Sequence, residues 1–282
     1  MEEDNKQALN NKQVNGQDNE QAWKKVEIAR NPKRPTSLDY IQYIFDEFME
    51  LHGDRISKDD KAICCGLANI GNLNFTVIAQ QKGRTTAENI ERNFGMPNPE
   101  SYRKAIRFMK QAEKFNRPII TIIDTKGAYP GLEAEEKGQG EAIAESMLTM
   151  ANLHVPIISF VIGEGSSGGA LAIGLGNKVY MLENAIYSIL SPEGFASILW
   201  KDSKRSKEAA EKMKLTSEDF KKFNVIDGII KEPRKQEYDE KFIKNIAEKI
   251  RKLIVNDIKE FKEKSPDEIK EQRYNRFRVI GG

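Results

Sequence analysis

The segment Gly163-Glu164-Gly165-Ser166-Ser167-Gly168-Gly169 gathers the residue types that chemistry uses: glycines that open the backbone to a ligand, two hydroxyls and a carboxylate. Gly163-x-Gly165-x-x-Gly168 matches a dinucleotide fingerprint, and Gly165-x-Ser167-x-Gly169 matches the elbow that presents a nucleophilic serine. A third chemistry needs no side chain. Two consecutive glycines at a helix start lack Cβ atoms, so an oxyanion can approach the first free N–H groups closely. The plain alternative is a tight strand-to-helix turn.

The rest of the chain separates these readings. A dinucleotide site gains support from the apolar strand before the turn and from Glu183, 20 residues after Gly163, but the helix that follows is short and carries Gly174 and Gly176. A serine hydrolase of the elbow type needs a histidine downstream of its nucleophile, whereas His52 and His154 both precede Ser167. A Ser-Lys variant survives that test. A P-loop does not, because no Lys-Ser/Thr follows the glycines. The oxyanion site is the sharper of the readings left.

The elements that must hold this turn are legible from periodicity. Residues 1–22 are almost all Asn, Gln, Glu, Asp and Lys and are expected to be disordered. Thr36 and Asp39 have capping-box spacing ahead of Leu38, Ile41, Phe45, Phe48 and Leu51, which predicts one docking helix. Ala62 to Ile70 and Asn74 to Gln81, separated by Gly71-Asn72, read as a hairpin. A loop over Lys82 to Pro99 leads to a helix with Tyr102, Ala105, Ile106, Met109 and Ala112 on one face. Then a strand, Pro118 to Asp124, a turn, Thr125 to Gly131, and a long helix, Glu133 to Leu153, are followed by a second strand, Pro156 to Ile162, and the glycine turn.

Uniformly apolar strands alternating with helices imply an α/β fold with a parallel or mixed sheet covered on both faces. Val179 to Leu182 and Ile186 to Leu190 add strands, and Ser191-Pro192-Glu193 opens a helix with an N-cap, a proline and an acid. Past Lys231 the chain is charged, with Phe242, Ile246, Ile250 and Ile254 at helical spacing, a peripheral helical tail that requires no second domain.

Bulk properties exclude several classes. With 45 Lys plus Arg against 43 Asp plus Glu, the net charge of +2 supplies no field for nucleic acid or an anionic membrane. Cys64-Cys65 lack the spacing of zinc or redox sites and read as reduced core residues, with no metal expected in this chain. No apolar run approaches the ~18 residues of a membrane helix. The acidic start lacks a signal peptide's apolar region, so a cytoplasmic protein is expected.

Five motifs stand in one order: Lys82-Gly83-Arg84, Arg92-Asn93-Phe94-Gly95-Met96-Pro97, Asp124-Thr125-Lys126-Gly127-Ala128-Tyr129-Pro130-Gly131, Glu164 to Ala170 and Ser191-Pro192-Glu193-Gly194. From about Trp23 to Pro233 the chain resembles the carboxyltransferase alpha subunits of bacterial acetyl-CoA carboxylase. The resemblance implies a crotonase (ClpP/crotonase-like) ββα superhelix with peripheral N- and C-terminal helices. The domain boundaries expected are 23–233 for the transferase and 234–282 for the tail. It implies transfer of a carboxyl group from carboxybiotin, carried on the biotin carboxyl carrier protein, to acetyl-CoA, giving malonyl-CoA for fatty acid synthesis. The partners implied are a zinc-bearing beta subunit in an α2β2 tetramer and biotin carboxylase.

By the same resemblance Gly168 and Gly169 match an oxyanion pair for the biotin ureido oxygen, an equivalent pair in beta serving the thioester enolate. The scarcity of histidine then fits, because departing biotin can take the acetyl proton. Gly127 and Ala128 line the pocket or only shape their turn. Lys82 and Arg84 bind coenzyme A phosphates or a carboxylate, or belong to a solvated loop, and the same choice holds for Asn93 to Met96, with Gly95 and Met96 the residues named for substrate. Departures from the pattern are Ser166 in place of a glycine, Lys126 in place of a proline, a shortened helical N-terminal extension and an altered loop after Pro233. A specialised or non-catalytic paralogue that binds beta, and a transferase for another acyl-CoA, remain alternatives.

Overall fold

In the computed structural model, residues 21–280 are described, so the expected disorder of residues 1–20 lies outside the described residues. The expectation that it runs to residue 22 is corrected. Helix α1 (Gln21–Ala29) already includes Ala22, which is buried against Ile186, Ala210 and Leu215 and donates its N–H to Glu211 Oε1 at 2.7 Å. Three small apolar side chains, Ala22, Val26 and Ala29, dock this polar helix on the body of the protein.

Helix α2 (Ser37–Ile44) begins where the capping box predicts, with Asp39 Oδ2 accepting both the Thr36 N–H and its hydroxyl at 2.8 and 2.9 Å. It ends earlier than the apolar spacing suggests. Phe48 and Leu51 belong to strand β1 (Glu47–Leu51), not to the helix. Phe45 turns extended, and Asp46 N–H donates to Asn69 O, so the chain pairs antiparallel with β2 (Ile63–Ile70). Phe48 fits both a helical and a strand period, and tertiary pairing decided between them.

Strands β2 and β3 (Leu73–Gln80) form the predicted hairpin around Gly71, whose φ of +56 explains a glycine there. Helix α3 (Thr86–Glu91) and a short turn over Asn93–Gly95 lead into α4 (Pro99–Lys114), which covers β2 and β3. Next come β4 (Ile119–Thr125), α5 (Leu132–Glu136), α6 (Gln139–Asn152), β5 (Ile157–Ser166), α7 (Ser167–Leu171), β6 (Lys178–Leu182) and β7 (Ile186–Ser188). Gly138, at φ +79, breaks the single long helix expected over Glu133 to Leu153 into α5 and α6.

The chain continues through α8 (Pro192–Trp200), α9 (Ser206–Met213), α10 (Ser217–Lys222) and β8 (Gly228–Ile230) to the tail helices α11 (Glu240–Phe261) and α12 (Pro266–Arg278). Ser191 caps α8 as expected, accepting the Gly194 N–H at 3.1 Å. One mixed sheet runs β1-β2-β3-β4-β5-β6-β8, antiparallel through β3 and parallel beyond, and β7 pairs with the far end of β5. Every residue of β4 and β5 is buried, which is why both strands read as uniform apolar runs. In α11, Phe242, Ile246, Ile250 and Ile254 are buried in the same core as the sheet, with α11 lying along α2.

Candidate functional site

Parallel strands present their carboxyl ends on one edge, where open α/β sheets bind ligands. Here β4 and β5 are neighbours, so the turns that follow them meet. Strand β5 runs farther than the sequence indicates, through Gly163 and Gly165 to Ser166. Those two glycines therefore do not form a phosphate-binding loop. A Cβ on Gly163 would lie 2.3 Å from Asp124 Oδ1, and one on Gly165 would lie 2.6 Å from the Tyr187 ring, so both serve strand packing. The dinucleotide reading loses its turn.

The chain reverses at Ser167, exposed and at φ +55. That geometry resembles a nucleophile elbow, but His52 faces Asp59 and His154 faces Glu113, and neither lines the cavity at Gly168. What the turn offers is backbone. Gly168 and Gly169 occupy the second and third positions of α7, whose N–H groups have no carbonyl to reach within the helix. Ser166, the N-cap, makes no side-chain bond to them. With only five residues α7 has a weak dipole, so the amides themselves are the asset.

Gly169 is held from two sides. A Cβ there would sit 2.6 Å from Ala128 N and 2.7 Å from Gly127 C, which brings the two turns into direct backbone contact. Gln80, fully buried at the end of β3, donates to Gly169 O at 2.7 Å and accepts from Asp124 N at 3.1 Å. Gly168 is freer: its Cβ would meet only Ile143, at 3.5 Å. It opens on a cavity of about 460 Å³ lined largely by apolar side chains.

Thr125 shapes the first turn. Its hydroxyl donates to Gly95 O at 2.6 Å, and the same oxygen accepts the Gly127 N–H at 3.0 Å. Gly127 itself needs its φ of +130. The segment containing Gly95 and Met96 is thus tied to the turn that carries Gly127 and Ala128, and Tyr129 N–H donates to Pro97 O at 3.0 Å. The predicted residues Gly168, Gly169, Gly127, Ala128 and Gly95 form one connected set.

Lys82 and Arg84 are placed differently. The Lys82 stem packs on Gly95, and its ammonium reaches Asp124 Oδ1 at 2.6 Å and Glu164 Oε1 at 3.3 Å. Glu164 also takes Arg30 Nε at 3.0 Å, and Arg30 Nη1 continues to Glu193 at 2.8 Å. Burial opposes ionisation of Glu164, but Lys82 and Arg30 outweigh it and hold the carboxyl below its usual range. Burial likewise disfavours the Lys82 charge, and Asp124 and Glu164 outweigh it, raising its pKa. Lys82 is therefore an internal strut under the turn. Arg84 is exposed and pairs with Asp39.

The sequence reading missed Gln80, Thr125, Arg30 and the tail residues Phe277 and Ile280, which line the cavity at Gly168. Polar residues ending apolar strands, as Gln80 and Thr125 do, were the available signal. Nothing in a charged tail pointed to the cavity. Among the described residues no cluster of three or more His, Cys, Asp or Glu side chains could hold a metal ion, and no helix is long and apolar enough to cross a membrane.

A family model described as acetyl co-enzyme A carboxylase carboxyltransferase-like matches residues 3–281. The chain is 57% identical over 259 residues to the acetyl-coenzyme A carboxylase carboxyl transferase subunit alpha of Clostridium acetobutylicum, covering 92% of this chain and 94% of that one. It is 57% identical over 260 residues to the subunits beta/alpha protein of Clostridium tetani, of which it spans 45% of the length. Among solved structures it superimposes on a transcarboxylase 12S core with a TM-score of 0.63 at 19% identity, covering 79% of this chain and 42% of that one. A Pseudomonas malonate decarboxylase hetero-tetramer in complex with coenzyme A gives a TM-score of 0.63 at 14% identity, over 79% of this chain and 87% of that one. At these identities the structures establish the fold alone, of the crotonase type.

Proposed function

The chain belongs to the acetyl-CoA carboxylase carboxyltransferase-like family and corresponds to its alpha subunit, and on that premise we propose that it forms the biotin side of carboxyl transfer to acetyl-CoA. The observation that carries this reading is the close approach of Gly169 to Gly127 and Ala128, beside two amides with no partner inside their helix. Carboxybiotin, delivered on the biotin carboxyl carrier protein, supplies the carboxyl group. The N–H groups of Gly168 and Gly169 hold negative charge on the ureido oxygen. Removing one such donor costs ~3 to 4 kcal/mol of transition-state stabilisation, so a hole made of backbone accounts for much of a rate without a side-chain base.

The packing around Gly169 supports this reading. Only a residue without Cβ fits at position 169, and Gln80 holds the peptide that follows the Gly169 N–H. Gly127 and Ala128 wall the site, with Gly95 and Met96 behind them. Lys82 acts through Asp124 and Glu164 as a positioning residue, and exposed Arg84 would have to exchange Asp39 for a phosphate or carboxylate of coenzyme A. In this division residues 23–233 carry the transfer. A beta subunit with zinc completes an α2β2 tetramer, biotin carboxylase charges the carrier, malonyl-CoA is the product, and the cytoplasm is the compartment.

The test is reconstitution. The chain alone should show no turnover, and with a matching beta subunit it should catalyse malonyl-CoA-dependent carboxylation of biocytin. Gly169→Val should abolish transfer while the tetramer still assembles. Assembly without transfer by the wild-type chain would overturn the catalytic reading in favour of a paralogue that only binds beta.

A further inference from the structure

The cavity at Gly168 is lined on one side by residues of the tail. Phe277 and Ile280, from the end of α12 and just beyond it, line it together with Leu171, Tyr187 and Phe220. Among the described residues no Lys, Arg, Asp or Glu lines this space, and its polar groups, at Ser167, Gly168, Tyr187 and Ser188, belong to β7 and the glycine turn. About 460 Å³ is within the range of small-molecule sites. Such a cavity is poorly suited to phosphates. It suits a compact apolar body with a polar end directed at Gly168.

The wall is anchored rather than loosely laid. Arg273, fully buried, donates to Met150 O, Leu153 O, Val155 O and Asn177 Oδ1 at 2.6 to 3.1 Å. Arg276 donates to Val225 O at 2.7 Å and pairs with Asp227 at 2.8 Å. Val225 and Ile226 also line the cavity, so Arg276 fastens the helix tip to the neighbouring part of the same wall. A helix held this firmly sets where Phe277 and Ile280 stand.

We propose that Phe277 and Ile280 are specificity-determining residues, forming the apolar wall against which the thioether ring and valeryl chain of the biotin arm pack while its ureido end meets Gly168. This rests on the carboxyltransferase reading above. It assigns to the tail a part in substrate selection beyond peripheral packing. Phe277→Ala removes most of one face of the wall, and Ile280→Ala trims the outer edge without touching Arg273 or Arg276.

The experiment uses the tetramer reconstituted with a matching beta subunit, with KM measured separately for biocytin and for malonyl-CoA. Phe277→Ala should raise the biocytin KM roughly tenfold. Ile280→Ala should raise it less, Phe277→Leu should restore it in part, and the malonyl-CoA KM should not move. Val279→Ala, at an exposed neighbour that does not line the cavity, should match the wild type. An unchanged biocytin KM in correctly folded Phe277→Ala and Ile280→Ala, checked by thermal unfolding, overturns the proposal. So does a rise confined to the malonyl-CoA KM. Wild-type tetramer inactive toward biocytin sinks the functional reading itself, a distinguishable result.

Discussion

The side-chain amide of Gln80 donates to the carbonyl oxygen of Gly169 at 2.7 Å, while its oxygen accepts the Asp124 N–H at 3.1 Å. One buried carboxamide thus joins the ends of β3 and β4 to the turn after β5, and it fixes the peptide that follows the second amide of the pair. Gln80→Leu leaves both backbone groups without that partner. Stability should fall by about 1–3 kcal/mol in chemical denaturation. The biocytin kcat should fall more than its KM rises, because the interaction lost orients a group used in the transition state. Gln80→Glu should be worse, since it sets a carboxylate oxygen against the Gly169 carbonyl.

Gly168 and Gly169 should separate cleanly by alanine substitution. At 168 the new Cβ meets only Ile143 in ordinary contact, whereas at 169 it would lie 2.6 Å from Ala128 N, and backbone must move. Displacing catalytic groups by about 1 Å costs on the order of a hundredfold in rate. Gly169→Ala should therefore lose about that much transfer with assembly retained, and Gly168→Ala should stay within about tenfold of wild type. Equal effects at both positions would mean that the contact between the turns does not set the geometry.

Cys64 and Cys65 should be silent to thiol reagents in the folded protein. Burial pushes both thiols up to about 12, reinforced at Cys64 by Glu50 nearby and at Cys65 by Cys64 itself. A disulfide reagent at pH 8 should titrate them only after denaturant is added. Rapid reaction of either thiol in native protein would show that strand β2 opens locally.

The parallel or mixed sheet and the turns after its strands were readable because β4 and β5 are buried on both faces, which forces uniformly apolar composition. Phe48 was misread because its spacing suits a helix as well as a strand, and the pairing of Asp46 with Asn69, far along the chain, decides the matter. The fingerprint over Gly163 to Gly168 was ambiguous for a related reason. Glycine appears alike in sequence whether it permits a turn or makes room for Asp124 and the Tyr187 ring. Phe277 and Ile280 were invisible as site residues because a cavity wall assembled from a distant helix leaves no local pattern.

The acid limb of the stability profile should carry the signature of Glu164. Its folded pKa is depressed below the ordinary value of 4.5 by Lys82 and Arg30 against the opposing effect of burial. A depressed carboxyl stabilises the fold above its unfolded pKa, and that contribution is lost as pH falls through the folded value. Wild-type stability should therefore decline below about pH 4.5. Glu164→Gln removes the charge while Lys82 and Arg30 stay in place, and breaking a buried pair from one side costs about 3 kcal/mol. The variant should be less stable at pH 7 and its stability should fall less steeply between pH 5 and 3, measured by denaturant unfolding at each pH. Parallel profiles for the two proteins would show that the pairs at Glu164 contribute nothing net, leaving Asp124 to hold Lys82 beneath the glycine turn.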